Sequence, residues 1–324
     1  MDTKIILNAE ILSPSHLPES IVHREREVVL VANNAKNGAN TFIYGPSGSG
    51  KTTVLKKVCS ESSAWGGRTF YVDCSLYQTS NSVLREILTD KFVFSRSNYD
   101  LLKKLHEKTR QNKATVCLDH FDRTKEPDIV TKLIGVGLSV ILAGNNEDTL
   151  DHLDLRTRSF ISSVISINAY SVDQAASILR TRAEQALAKY TFKESTLRSI
   201  SEKTKGNVSL CITILRACAL LAESQGKKSI EDLDLDEIFR QHDCPVRLST
   251  DETTLVKILE EWKSLPSNAL FQFYRSSAKF PKQERSFRKY MRKLRDKGLV
   301  RAVGDRGGRF YEISREPSVE PSGD

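Results

Sequence analysis

The chain reads as α/β: a parallel sheet built around a phosphate loop, then an all-helical stretch, then a small unit of three helices and a β-hairpin. Three observations carry that reading. Gly45-Pro46-Ser47-Gly48-Ser49-Gly50-Lys51-Thr52 completes the pattern G-x-x-x-x-G-K-[ST] between an apolar run at 41–44 and a helix-compatible stretch at 53–59, the strand, loop and helix order such a motif requires. Apolar runs alternate with helical stretches on either side of it, the signature of a parallel sheet covered on both faces. Finally, residues 241–315 hold 17 Lys/Arg against 9 Asp/Glu, a net of +8 that equals the formal charge of the whole chain, so any polyanionic partner belongs to the C-terminal quarter.

Composition sets the frame for these elements. An apolar fraction of 39% over 324 residues supports packed cores in two or three domains and excludes a disordered chain. No apolar run reaches membrane-span length, and the start of the sequence lacks a signal-peptide layout, so the expectation is a cytoplasmic protein with no membrane partner. Cys59, Cys74, Cys117, Cys211, Cys218 and Cys244 are scattered without C-x-x-C spacing. They read as buried, reduced thiols rather than a zinc site or disulfide framework.

Taken in order, residues 17–27 form an extended leader with Pro18 and Ser20 ahead of a helical pattern. Ile21 and Val22 suit the flanks of an adenine base with Arg24 near it; the competing reading is an amphipathic leader before a solvated helix. In the loop, Gly45, Pro46, Ser47, Gly48, Ser49 and Gly50 turn backbone N–H groups toward phosphates at a helix N-terminus. Lys51 reaches the β- and γ-phosphates, Thr52 holds magnesium, and Thr53 continues the cofactor-binding set. Further strands are expected at 69–73, 116–119 and 139–143, with a helix at 82–89 between the first two. Ligands of such sheets sit at the carboxyl ends of the strands, where Asp119 and Asn145 fall. Asp119 organises the magnesium shell, and Asn145 is either a water-positioning residue or a plain turn residue. Arg156 and Arg158 lie near a helix end, and Arg156 reads either as an arginine finger for a neighbouring subunit or as half of a surface ion pair.

Residues 171–189, 194–204, 208–223 and 230–241 carry apolar positions at three- and four-residue spacing, which predicts a helical bundle. The last segment reads as helices at 252–262, 267–276 and 282–297 and strands at 299–303 and 309–313 joined by a glycine-rich tip. This is the layout of a winged helix-turn-helix. In its third helix Phe287, Met291 and Leu294 form one stripe, while Lys282, at its start, and Arg285, Arg288, Lys289, Arg292, Lys293 and Arg295 fill most of the remainder. Such a helix fits the DNA major groove, with Arg306 and Arg309 on the wing reaching phosphate or minor groove. The alternative is a protein-docking wing with a solvated charged face.

Laid end to end, these pieces resemble the archaeal replication initiators, AAA+ proteins related to the large subunit of the origin recognition complex and to the cell-division-control helicase loader. The resemblance rests on Pro18 to Glu27 as the adenine-side motif, Gly45 to Thr52 as Walker A, Leu118-Asp119-His120-Phe121-Asp122 at Walker B, Asn145 at sensor 1, Leu153-Asp154-Leu155-Arg156 at the finger motif, Gly206-Asn207-Val208-Ser209 at sensor 2, and the closing wing. The tail at 317–324, rich in Pro, Ser and acid, reads as disordered from its composition. The resemblance implies an AAA+ P-loop domain at 1–168, a helical lid at 169–243 and a winged-helix DNA-binding domain at 244–316. It also implies ATP or ADP with Mg2+ as cofactors and origin duplex DNA as partner in the nucleoid, with other initiator subunits and the replicative helicase as further partners. An insertion at about 91–108 would contact DNA through Arg96, Lys103 and Lys104. Two positions depart from the pattern. His120 stands where the family has Glu and Ser209 where it has Arg, so hydrolysis is expected to be weak or partner-dependent. The rival readings are a winged-helix NTPase regulating transcription or signalling, and a helicase-loading ATPase.

Overall fold

The computed structural model describes residues 4–89, 97–110, 114–233, 235, 238–239, 250–278, 281–296, 300–304 and 310–313. The chain divides into two compact units, residues 1–238 and 239–324.

The first unit is built on β1 (Thr41–Tyr44), β2 (Arg68–Asp73), β3 (Ala114–Asp119), β4 (Ser139–Gly144) and β5 (Ser163–Ser166), in the order β2-β3-β4-β1-β5. Every pairing is parallel. Both faces are buried, and the period-two alternation of a strand divides each run between two cores. Phe42, Val116, Leu118, Val140 and Leu142 face one cluster, whereas Ile43, Cys117, Ile141 and Ala143 face the other. The first core is closed by α3 (Ser80–Leu88), α4 (Asn98–Thr109) and α5 (Ile129–Gly135), and the second by α1 (Glu25–Asn37) and α2 (Lys51–Glu61). The four strands read from sequence are present. The fifth, β5, was not expected: Ser-Val-Ile-Ser is short and half-exposed, and its pairing with β1 alone makes it an edge. Helix α3 starts two residues earlier than expected because Thr79 and Ser82 close a capping box.

After a short helix α6 (Leu155–Ser159), the helical part of this unit comprises α7 (Val172–Ala186), α8 (Glu194–Lys203) and α9 (Val208–Ser224). Ser171 and Gln174 form a capping box at the head of α7, and Asn207 caps α9 through Leu210 N–H at 3.1 Å. Within the helix expected at 230–241, Ile230–Asp232 form a 3-10 turn and Leu235, Ile238 and Phe239 are helical, with the other residues after Leu233 outside the described ones. The N-terminal segment is fastened to this helical layer. Ile5 and Ile6 N–H both donate to Glu223 Oε1 at 2.8 Å, and Ala188 N–H donates to the Ile5 carbonyl.

The second unit holds α10 (Thr250–Trp262), β6 (Ser264–Pro266), α11 (Ser267–Ser277), α12 (Glu284–Asp296), β7 (Val300–Val303) and β8 (Phe310–Ile313). Its antiparallel sheet has the order β6-β8-β7, so the expected hairpin gains a third, three-residue strand. Leu255, Leu259, Leu270, Tyr274, Phe287, Met291 and Leu294 form the core. Asp251 ties the three helices together by accepting from Tyr274 Oη at 2.6 Å and Tyr290 Oη at 3.1 Å. Three helices with a small antiparallel sheet are the winged-helix arrangement. Among the described residues no helix is long and apolar enough to cross a membrane.

Candidate nucleotide site and basic helix

The phosphate loop leaves β1 and enters α2 through Gly50, whose φ of 96° no residue with a Cβ adopts readily. Gly48, at φ 77°, has a second reason to be glycine: a Cβ there would stand 2.0 Å from Asn207 Oδ1, the cap of α9. The loop and the helical layer are therefore in direct apposition. The buried Ser49 hydroxyl has no hydrogen-bond partner among the described residues, and Ser49 does not line the cavity beside the loop. Lys51 is 8% exposed, and its ammonium donates to the carbonyls of Gly45 at 2.7 Å and Pro46 at 2.9 Å. Burial draws its pKa below the ordinary lysine value, against the opposing charges of Asp119 and Asp122.

Asp119 ends β3 at 1% exposure and is held by three donors. Thr52 Oγ1 donates to its Oδ2 at 2.6 Å, Tyr71 Oη to the same oxygen at 2.8 Å, and His120 N–H to its Oδ1 at 2.9 Å. A carboxylate and a hydroxyl side by side are the protein ligands that magnesium takes when phosphates and water supply the rest. Among the described residues no group of three or more His, Cys, Asp or Glu forms a metal cage.

His120 adopts the left-handed backbone conformation, φ 51°, and its Nδ1 lies 3.1 Å from Asp73 Oδ1 at the end of β2. Burial raises the Asp73 pKa, yet the hydrogen bonds from Ser75 and the charge of His120 outweigh it and hold the carboxyl below its usual range. Asn145, one residue past β4, donates to Asp122 Oδ2 at 3.2 Å. A cavity of about 870 Å3 joins these groups, within the size range of small-ligand sites. Its walls include Ile21 and Val22, Ser47, Gly48, Gly50, Lys51, Thr52 and Thr53, His120, Asn145 and Ser209, whereas Gly45, Pro46, Ser49 and Asp119 stand behind that surface.

Arg24 stands elsewhere than the sequence reading placed it. It is 6% exposed and does not line the cavity. Its Nε donates to the Ser49 carbonyl at 3.0 Å and its Nη2 to the Asn168 carbonyl at 2.5 Å, with the guanidinium 3.9 Å from the centre of the Tyr170 ring. It braces the loop from behind. Arg156 on α6 is exposed and outside the cavity lining; the surface ion pair of this segment is made by its neighbour, Arg158 with Asp151 at 2.8 Å.

Sequence reasoning missed Tyr71, Asp73 and Arg182. Tyr71 and Asp73 lie on β2 beside β3, a pairing that no spacing reveals. Arg182 donates to the Ile11 and His16 carbonyls at 3.0 and 2.9 Å, fixing the N-terminal segment as a wall of the cavity. Its only visible signal was an arginine on the apolar side of an otherwise regular helix.

In the second unit, Arg285, Arg288, Lys289 and Arg292 are exposed along α12, with Lys282 exposed just before it. Phe287, Met291 and Leu294 are buried on the opposite side. Arg288 Nη2 pairs with Glu284 Oε1 one turn away at 2.6 Å. Lys103 and Lys104 are exposed on α4. Arg96, Arg306 and Arg309 lie outside the described residues.

A sequence profile described as an AAA domain matches residues 34–151. An ORC1-type DNA replication protein of Picrophilus torridus is 26% identical over 265 residues, covering 72% of this chain and 64% of that protein. ORC1-type DNA replication protein 9 of Halobacterium salinarum is 24% identical over 343 aligned positions, covering 97% of this chain and 96% of the relative. The solved structure of the Aeropyrum pernix ORC1 protein in complex with DNA superposes with a TM-score of 0.73 at 19% identity, over 97% of this chain and 94% of that one. At that identity the structural likeness establishes the fold.

Proposed function

We propose that this chain, which belongs to the archaeal ORC1/Cdc6 type of AAA+ proteins, works as a DNA replication initiator that holds an adenine nucleotide in its first unit and binds origin duplex through its second. The observation that carries the DNA half is the division of α12 into a buried apolar stripe and an exposed face bearing Arg285, Arg288, Lys289 and Arg292. A helix fixed to its own core by one side presents the other to the major groove, and the basic residues neutralise phosphates on either flank.

The nucleotide half rests on the Lys51 ammonium and the Thr52 hydroxyl at the cavity wall and on the Thr52–Asp119 pair. When bound, Mg2+ would neutralise phosphate charge. Thr52 and Asp119 would hold it, Lys51 would exchange its loop carbonyls for phosphate oxygens, and Ile21 and Val22 would cover the base. Hydrolysis is weak on this reading, because the position that polarises water carries an imidazole engaged with Asp73 and the head of α9 carries Ser209 rather than a cation.

The test is DNA binding across a salt series with Arg288→Ala/Arg292→Ala. The double variant should bind origin-containing duplex more weakly, and its log-affinity against log-salt slope should flatten by about one to two. An unchanged curve would remove α12 from the interface.

A further inference from the structure

Away from the phosphate cradle, two thiols meet where α2 lies on the sheet. Cys59 Sγ is 3.6 Å from Cys117 Sγ. Cys117 is fully buried on β3, two residues before Asp119, whereas Cys59 near the end of α2 is partly exposed. Thr69 Oγ1 donates to the Cys59 carbonyl at 3.3 Å and to Ser62 Oγ at 2.8 Å, fixing the turn that presents Cys59. Of the two residues Cys59 is thus the nearer to solvent, and Cys117 is sealed behind it. A disulfide bond is about 2.05 Å long, so closing this pair asks for about 1.5 Å of sulfur movement. No intervening side chain has to leave, since the sulfurs already touch. The contact with Cys117 also draws the Cys59 thiol below its ordinary pKa, against the effect of burial.

We propose that Cys59 and Cys117 form a reversible disulfide on exposure to a hydroperoxide, linking the helix that begins with Lys51 and Thr52 to the strand that ends with Asp119. Cys59 sulfur, as the thiolate, attacks one oxygen of hydrogen peroxide. The O–O bond breaks, the second oxygen leaves with the electron pair as hydroxide, and Cys59 becomes a sulfenic acid. Cys117 sulfur then attacks the Cys59 sulfur; the S–S bond forms, the S–O bond breaks, and the departing hydroxide takes the Cys117 proton as water. Two thiols give up two electrons and two protons, and one peroxide becomes two waters. Intracellular disulfides of this kind are usually transient and redox-sensing. Helix α2 is already fastened to β3 at its start by the Thr52–Asp119 hydrogen bond of 2.6 Å, so the link would pin the helix at a second point.

The experiment uses the full chain, treated with stoichiometric hydrogen peroxide, alkylated and digested without reductant. A peptide pair joined through Cys59 and Cys117, and released by dithiothreitol, is the expected result. It should form on the order of ten-fold faster in native protein than in urea, because folding holds the sulfurs together. Cys117→Ser should trap Cys59 as a sulfenic acid that dimedone labels, while Cys59→Ser should leave Cys117 unmodified. The wild-type peptide map stands even if a variant fails to fold. Both thiols still reduced after treatment, Cys59 carried to sulfinic acid without a link, Cys59 joined to another cysteine, or equal rates in urea would each overturn the proposal. None of these readouts depends on DNA binding or on the initiator reading.

Discussion

Gly48 is the residue on which the phosphate loop and the helical layer jointly depend. Its left-handed φ costs a residue with a Cβ about 1–2 kcal/mol, and that Cβ would collide with the Asn207 side chain that caps α9. Losing the cap adds about 1 kcal/mol. Gly48→Ala should therefore destabilise the first unit by about 2–3 kcal/mol in urea unfolding and weaken nucleotide binding in a titration; an unchanged midpoint would refute the apposition. Lys51→Ala should abolish nucleotide retention through purification, and ADP still bound to the variant would show that the loop is not the site. His120→Glu should raise ATP hydrolysis in a phosphate-release assay, with no rise assigning the deficit to Ser209 or elsewhere. The loop motif and Asp119 were legible because their chemistry is fixed by local spacing. Arg24 was read into the cavity because it follows Ile21 and Val22 directly; it turns away because three backbone carbonyls, those of Ser49, His23 and Asn168, need its donors. Two of those carbonyls come from distant segments, and local spacing carries no record of them.

Among elements, α12 was readable from sequence and β5 and β6 were not, for one reason. An amphipathic helix declares its buried stripe over three turns, and Phe287, Met291 and Leu294 occupy it as expected. A three- or four-residue edge strand such as Ser264–Pro266 or Ser163–Ser166 has too few positions to alternate, and it exists because a neighbouring strand offers hydrogen bonds. The three helices of the second unit depend on a polar junction as well as apolar packing. Tyr274 is buried, donates to Asp251 at 2.6 Å and accepts from Lys282 N–H at 3.0 Å. Burial, with the Asp251 hydrogen bond, pushes its pKa up to about 12. A phenol whose folded pKa lies above its unfolded value of about 10 favours folding below pH 10, and that contribution is lost as pH rises through the folded value. Stability of the second unit should thus fall between about pH 10 and about 12. Tyr274→Phe should flatten that fall and lower stability at neutral pH by about 1 kcal/mol for the lost hydrogen bonds. Matching alkaline profiles for variant and parent, followed by circular dichroism, would refute the assignment.

At the scale of the whole molecule, the proposed nucleotide site and the basic helix belong to different compact units. The phosphate loop, Asp119 and the walls of the cavity all belong to residues 1–238. The charge excess and α12 belong to 239–324. A ligand stabilises what it binds, so magnesium ADP at one hundred times its dissociation constant should stabilise the first unit by about 2.7 kcal/mol. The unfolding transition of the second unit should not move with it. Phe287 fills the centre of the second core at 1% exposure, and its truncation should cost that unit about 3–5 kcal/mol. Phe287→Ala should accordingly bring the second transition to lower denaturant and abolish salt-dependent DNA binding, while the ADP-induced shift of the first transition is kept. Calorimetry and tryptophan fluorescence separate the two, because Trp65 reports from the first unit and Trp262 from the second. A single transition that ADP and Phe287→Ala both move in full would mean that the units unfold as one cooperative body, with nucleotide occupancy contributing directly to the stability of α12.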